Sequence, residues 1–477
     1  MNAVVIRGAR VADGTGAALV EADLRVEGDR IAQIGDVSVG GAVEIDATGL
    51  VLAPGLIDVH THDDLALVRT PDLLPKITQG VTTVIAGNCG LSLPGYAGPQ
   101  PEAAPFGLFR DMGAYTFPRV RDWTRAVRAA SPSVNVAVLI GHSTLRAAVM
   151  DRFDRPASDG EVSGMVDRAR QAIEDGAIGL SSGLAYPAAK AATEAELTDL
   201  LAGVADLGGV YTTHLRDERA GLIDAVAEAI RTSQTGGLPL VISHHKCMGR
   251  SNHGLVKRTL PMIDGARDVA LDVYPYVASS TILNPEVVDD ADTVLISASS
   301  QHPDAIGRDL DDIAGEWGVD RRTAAERLCP GGAIYFQMDE ADLRRVMSHP
   351  RCMIGSDGIP ADSHPHPRLW GTFPRVLGRY VREDAVLSLE AAIHRMTGLA
   401  ARTFGLNDRG HIAVGAYADL VLFDPETVSD RADFSTPKLA ATGIEAVFVN
   451  GQCAYRPESG VTARAGRILT DRLEARQ

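Results

Sequence analysis

Through the middle of the chain, short apolar runs alternate with longer stretches in which apolar residues recur every three or four positions. The short runs read as buried strands and the longer ones as helices. Eight candidate strands end near His62, Cys89, His142, Leu184, His214, His244, Tyr274 and Asp357, with helices such as Asp159 to Asp175 and Glu194 to Gly208 between them. Strand then helix, repeated eight times, predicts an α/β chain closed into a parallel (β/α)8 TIM barrel over residues 55–411. The ends read differently. Val4-Val5-Ile6, Leu24-Arg25-Val26, Ala418 to Phe423 and Ala446 to Gly451 are β-prone, punctuated by turns such as Asp13-Gly14 and Gly28-Asp29. Neither end can build its own core. Residues 1–54 plus 412–477 are therefore expected to pair into one small β-domain, a sandwich or barrel. The rhythm breaks once: about 80 residues separate the seventh and eighth strands, far beyond a usual βα connection. An insertion over about 284–338 is expected there, over the barrel mouth, where a lid is favoured over a packing embellishment.

Composition narrows the partners. The chain has 477 residues, 45% hydrophobic and 23% charged, with a net charge of -16. That balance fits a globular protein and argues against nucleic acid or an anionic membrane as the main partner. No run is long and apolar enough to span a bilayer, and the N-terminus lacks a signal-peptide layout. Five widely spaced cysteines do not form a disulfide framework, which points to the cytoplasm.

Barrel chemistry sits where strands end, so polar residues there carry the most weight. Leu56 to His62 ends in His60-Thr61-His62, two imidazoles expected on one face. The second strand ends Gly87-Asn88-Cys89-Gly90, the fifth in His214-Leu215-Arg216-Asp217-Glu218, the sixth in Ser243-His244-His245-Lys246-Cys247 and the eighth in Gly355-Ser356-Asp357-Gly358. Of His244 and His245 only one can look inward. Thiolate, imidazole and carboxylate on one mouth are a strong metal constellation.

These segments resemble the N-acyl-D-amino-acid deacylases, the D-aminoacylases of the amidohydrolase superfamily. So do His364-Pro365-His366-Pro367-Arg368 and Gly371 to Arg375, while the run Ala53 to His62 resembles the first barrel strand of the wider superfamily. Strand four, Gly179-Leu180-Ser181-Ser182-Gly183, lacks the metal-bridging lysine or glutamate of the wider superfamily, a role that a strand-two cysteine takes in the deacylases. The resemblance implies a tight zinc ion on Cys89, His214 and His244, and a second, weak or partly filled site on His60 and His62. His245 would then lie behind the ligands. Asp357 would be the general acid/base, with a purely electrostatic role as the alternative. Arg368 would clamp the substrate's α-carboxylate, supported by Lys246, Tyr274 and Ser280; Tyr276 and Ser279 compete with the last two. Tyr186 would donate to the oxyanion, or else is a packed core tyrosine.

The resemblance thus implies zinc-dependent hydrolysis of N-acyl-D-amino acids, small molecules, to a carboxylate and a free D-amino acid. Lys190 and Arg250 point to an acidic side chain such as that of N-acyl-D-glutamate, unless both face solvent. A cyclic-amide hydrolase of the dihydroorotase or hydantoinase kind is the alternative enzyme, and a catalytically silent metal-binding barrel the alternative of another class.

Overall fold

A computed structural model describes residues 3–38, 40–96 and 116–470. The ends of the expected β-domain (1–2, 39 and 471–477) lie outside the described residues. Eight parallel strand segments form the barrel: Leu56–Asp58, Val81–Ala86, Asn135–Val138 continued by Ile140–Gly141, Gly179–Gly183, Val210–His214, Leu240–Ile242, Val269–Val273 and Cys352–Ile354. The third strand breaks at Leu139, and Ile178 N bonds Val138 O at 2.8 Å across the gap. The ring closes where Asp357 N donates to His60 O at 2.9 Å and Thr61 bridges Gly358. Ile57, Ile85, Ala137, Val210, Val241 and Met353, from six barrel strands, share one buried apolar cluster with Ile178, the residue before strand four. The barrel is therefore packed, not a pore.

The helices follow their local signals. Ser158 and Glu161 form a capping box for Asp159–Glu174. Thr193 caps Glu194–Ala202, which stops short of the expected end and yields to a 3-10 turn at Ala205–Leu207.

Both chain ends join one nine-stranded sheet, because Val51–Pro54 pairs antiparallel with Leu420–Phe423. Its core includes Ile6, Leu24, Leu52, Leu422 and Phe448 from both ends. Past the sheet, Gly466 to Leu469 returns to the barrel beside Val136.

The insertion begins earlier than expected, at Ala278, because Ala278–Ile282 already pairs with Gly331–Phe336. Thr293–Ser299 completes the antiparallel sheet, and helices Leu310–Trp317 and Arg321–Leu328 cover it. Val294, Ile296, Leu310, Ile313, Leu328 and Tyr335 give it a core of its own.

Candidate active site

Only His214 lies within its strand. His60, His62, Cys89, His244 and Asp357 all sit past the strand ends. Pleat alternation therefore does not aim them; turn geometry does. Cys89, His244 and Asp357 have φ of 55°, 35° and 49°. Left-handed backbone at three non-glycine residues is costly, and it persists only where surrounding contacts hold it. Around Cys89 the squeeze is visible: a Cβ on Gly87 would lie 2.2 Å from Leu139 O.

The result is one cluster. Cys89 Sγ lies 3.2 Å from His60 Nε2, 3.5 Å from His244 Nε2 and 3.7 Å from His214 Nδ1. Asp357 Oδ1 lies 3.5 Å from His60 Nε2 and 3.3 Å from His62 Nε2. Ligand atoms of His60, Cys89, His244 and Asp357 all fall within 4.8 Å of one another. A tetrahedral zinc with Zn–S near 2.3 Å and Zn–N near 2.05 Å separates sulfur from nitrogen by about 3.5 Å. The donor set and its spacing fit that ion.

The charges agree. Burial opposes a thiolate at Cys89, yet His60 and His244, with hydrogen bonds from His214 and His244, hold its pKa well below the usual. Burial likewise opposes charge on His60, but the Cys89 thiolate, Asp272 and Asp357 push it well up. His62 rises to about 9, against burial, through Asp357 and Cys89. For Asp357, burial is outweighed by Arg368, His60 and His244, which hold the carboxyl well below its ordinary range. Without a metal the anions hold protons on His60 and His62, so cation binding and proton release are linked.

Two carboxylates of the site were not expected as members. Glu218 Oε1 accepts from Lys246 Nζ at 2.6 Å and lies 3.1 Å from His244 Nδ1. Lys246 Nζ lies 2.8 Å from the same Nδ1, so both groups hold the ring from that side and leave Nε2 facing Cys89. Asp272 Oδ1 accepts from His244 N at 2.9 Å and lies 3.4 Å from His60 Nδ1. The signal for Asp272 was a carboxylate inside the apolar strand Val269–Val273; a buried charge there requires a partner.

A cavity of about 600 Å³ opens over the cluster, lined by His214, His244, Asp357, Tyr186, Lys246, Tyr274 and Ser280 among others. The histidine pair resolves: His245 turns away to Thr259 Oγ1 at 2.8 Å, and burial lowers its pKa to about 4. Tyr274 lines the cavity, whereas Tyr276 packs beneath Arg375. Ser279 and Ser280 both line it; Ser279 Oγ is engaged by Gln337, while Ser280 Oγ has no partner among the described residues. Burial, then the Cys89 charge, raises the Tyr186 pKa well up, so its hydroxyl keeps its proton. Arg368 is fully buried behind the lining. It binds Asp357 Oδ2 at 2.9 Å and stacks 4.4 Å from the Tyr274 ring, with Nε and Nη1 unpartnered among the described residues.

The two expected pocket cations part company. Lys190 lines the cavity at its exposed rim. Arg250 does not: it is 76% exposed, pairs with Asp292 at 2.7 Å and borders a separate surface groove with Asp289 and Asp290. The expectation fails for Arg250 because the loop after strand six turns outward at Gly249, and the nearest carboxylate there belongs to the insertion's surface.

The chain matches the Amidohydrolase family over residues 43–291 and 262–455. It is 47% identical over 470 residues to D-aminoacylase of Alcaligenes xylosoxydans xylosoxydans, covering 98% of this chain and 97% of that one. N-acyl-D-glutamate deacylase and N-acyl-D-aspartate deacylase of the same organism are 48% and 46% identical, covering 98% of this chain and 96% and 94% of theirs. Among solved structures, N-acyl-D-glutamate deacylase from Bordetella bronchiseptica, complexed with zinc and a phosphonate mimic of the tetrahedral intermediate, matches with a TM-score of 0.94. Identity is 46%, and the match covers 98% and 99% of the two chains. A dihydropyrimidinase from Brevibacillus agri NCHU1002 shares the fold at 17% identity, with a TM-score of 0.62 over 98% of each chain.

Proposed function

The chain belongs to the amidohydrolase family and, within it, to the N-acyl-D-amino-acid deacylases, and on that premise we propose zinc-dependent hydrolysis of N-acyl-D-amino acids to a carboxylate and a free D-amino acid. The observation that carries the reading is the convergence of one thiolate, four imidazoles and Asp357 into one cluster that reaches a cavity through His214, His244 and Asp357. Cys89, His214 and His244 would hold the tight zinc, and His60 and His62, beside Asp357, a weaker second site. Bound zinc supplies Lewis acidity, polarising the amide carbonyl and acidifying water.

The chain's own groups do the rest. Arg368 holds Asp357 Oδ2, which leaves Oδ1 facing the histidines. Asp357 takes the proton from water and delivers it to the leaving nitrogen. Tyr186, kept protonated by burial, donates to the developing oxyanion. Arg368, whose Nε and Nη1 are unpartnered among the described residues, would take the substrate's α-carboxylate from behind Lys246, Tyr274 and Ser280, which line the cavity.

The side chain is selected farther out. Lys190 favours an acidic D-residue: among the described residues it is a cavity-lining cation with no ion-pair partner. Facing groups weigh the other way, since Ile282, Leu283, Pro285 and Val287 are apolar and Glu286 would repel a carboxylate. With Arg250 elsewhere, apolar D-residues are preferred to D-glutamate on balance.

Among the described residues no helix is long and apolar enough to cross a membrane, and the five cysteines are unpaired. A reducing cytoplasm suits those thiols, and the net charge of -16 disfavours nucleic acid. The test is incubation of the zinc-loaded protein with N-acetyl derivatives of D- and L-leucine and D- and L-glutamate, beside a hydantoin, with free amine and ring opening measured. Release of free D-amino acid alone is expected. Ring opening alone would move the protein to the cyclic-amide hydrolases, and silence on every substrate would leave a metal-binding barrel.

A further inference from the structure

The turn that carries Asp357 is held from behind by an ion network with no part in the chemistry above. Lys76 lies on the short helix Leu74–Ile77, between the first and second barrel strands, and is wholly buried. Its Nζ donates to Asp58 Oδ2 at 2.8 Å and to Ser356 Oγ at 2.8 Å, and lies 3.4 Å from Asp63 Oδ2. The other oxygen of Asp58 accepts from Ser356 N at 2.8 Å and His60 N at 3.3 Å. One ammonium–carboxylate pair thus grips two backbones: the one bearing His60 and His62, and the one bearing Asp357. They run so close that a Cβ on Gly355 would lie 2.6 Å from His60 Cβ. Asp357, at φ 49°, needs such external restraint to stay in place.

Three residues on, Gln79 performs the same task on the other side of Asp357. It too is fully buried. Its Nε2 donates to Leu369 O at 2.9 Å, and its Oε1 accepts from Phe373 N at 3.1 Å. In an uninterrupted α-helix those two backbone groups would bond each other. The Gln79 amide bonds both of these groups at once, in the helix Arg368–Arg375 that opens with the guanidinium.

We propose that Lys76 and Gln79 are positioning residues that set two halves of the site separately: Lys76 places Asp357 against His60 and His62, and Gln79 places the Arg368 helix. This rests on the hydrolase reading above. Replacing a whole buried ion pair by apolar residues often leaves stability unchanged, whereas removing one partner strands the other charge, so Lys76→Met is judged by kcat in protein that keeps its fold and zinc. Misplacing Asp357 affects proton transfer, which is read in kcat. Misplacing Arg368 affects carboxylate binding, which is read in KM.

The experiment compares Lys76→Met, Ser356→Ala and Gln79→Leu with wild type for zinc per chain, Tm, and kcat and KM on N-acetyl-D-leucine, with a crystal structure of the zinc-loaded Ser356→Ala protein. In Lys76→Met, kcat falls about tenfold or more at unchanged zinc content, with KM within about twofold. Ser356→Ala, which removes one contact of Lys76 and leaves its pair with Asp58, moves kcat the same way by less. In Gln79→Leu, KM rises about fivefold with kcat nearly unchanged. A folded Lys76→Met with wild-type kcat overturns the proposal, as does Gln79→Leu lowering kcat at unchanged KM. Should Lys76→Met not fold, Ser356→Ala decides: wild-type kcat there overturns it. If wild type cleaves no N-acyl-D-amino acid, the hydrolase reading has failed by itself. The Ser356→Ala structure then judges positioning alone, and Asp357 Oδ1 still 3.3 Å from His62 Nε2 counts against it.

Discussion

The floor and the outer wall of the cavity are built on different terms. On the floor, His60, Cys89, His244 and Asp357 are nearly fully buried, and three of the four have left-handed backbone. Every charge there has an opposite charge within about 4 Å, a range at which low dielectric makes pairing strong. The outer wall comes from the insertion and the loop after strand four. It mixes apolar residues such as Ile282, Leu283, Pro285 and Val287 with neutral polar ones, and Lys190, a cation without an ion-pair partner among the described residues, stands at the exposed rim. The contrast teaches where each property resides. Around this cavity, strain and buried charge fall on the groups that meet the reacting bond, while side-chain selection is left to weakly coupled groups that can change without disturbing the floor.

The largest expected effect is on the floor. Cys89→Ala removes the thiolate shared by both histidine pairs, so zinc and activity are lost together. The loss in metal affinity exceeds the roughly 10–100-fold typical of a group behind the ligands. Metal analysis with an activity assay checks it, and near-full zinc in that variant would refute the ligand assignment. Next comes Asp357→Asn. Zinc is retained, because Cys89, His214 and His244 remain, and kcat falls about 10²–10⁴-fold, as expected on losing general acid/base catalysis. Turnover at the wild-type rate would assign the proton transfer to another group.

A pH experiment sharpens the floor's electrostatics. The folded-state pKa of His62, raised to about 9, lies above its ordinary value near 6.5. Its protonation therefore contributes stability to the metal-free protein below about 6.5, and that contribution is lost as pH rises through about 9. The Tm difference between the metal-free wild type and His62→Gln should shrink over that window. Zinc affinity should rise over the same window, because the ligands must shed protons. A pH-independent Tm difference would contradict the charged His62.

The smallest effect belongs to the wall. Lys190→Met should change the ratio of kcat/KM for N-acetyl-D-glutamate over N-acetyl-D-leucine only a few-fold, because an exposed ammonium is screened by water. A change of about a hundredfold would mean that Lys190 is desolvated by substrate and would make the wall as charge-driven as the floor.

Much of this was legible along the chain. Short apolar runs, Gly-rich turns and polar residues at their ends are local signals, so eight strands and the group His60, His62, Cys89, His214, His244 and Asp357 could be placed by position. The pairing of the two ends could be inferred because neither had enough apolar residues for a core. What only the tertiary structure decided is which charges face each other. Arg250 looked like a pocket cation, but its loop carries it to Asp292 on the surface. Glu218 and Asp272 were ordinary acids until the barrel closed and set them against His244 and His60. Lys76 and Ser356 stand 280 residues apart and meet only through that closure. Even the direction of the ligands was tertiary: the strands end before most of them, and packing holds Cys89, His244 and Asp357 in left-handed backbone. Local sequence encodes propensities over a few residues. The partner of a buried charge is chosen by contacts from distant strands, and no local period carries that choice.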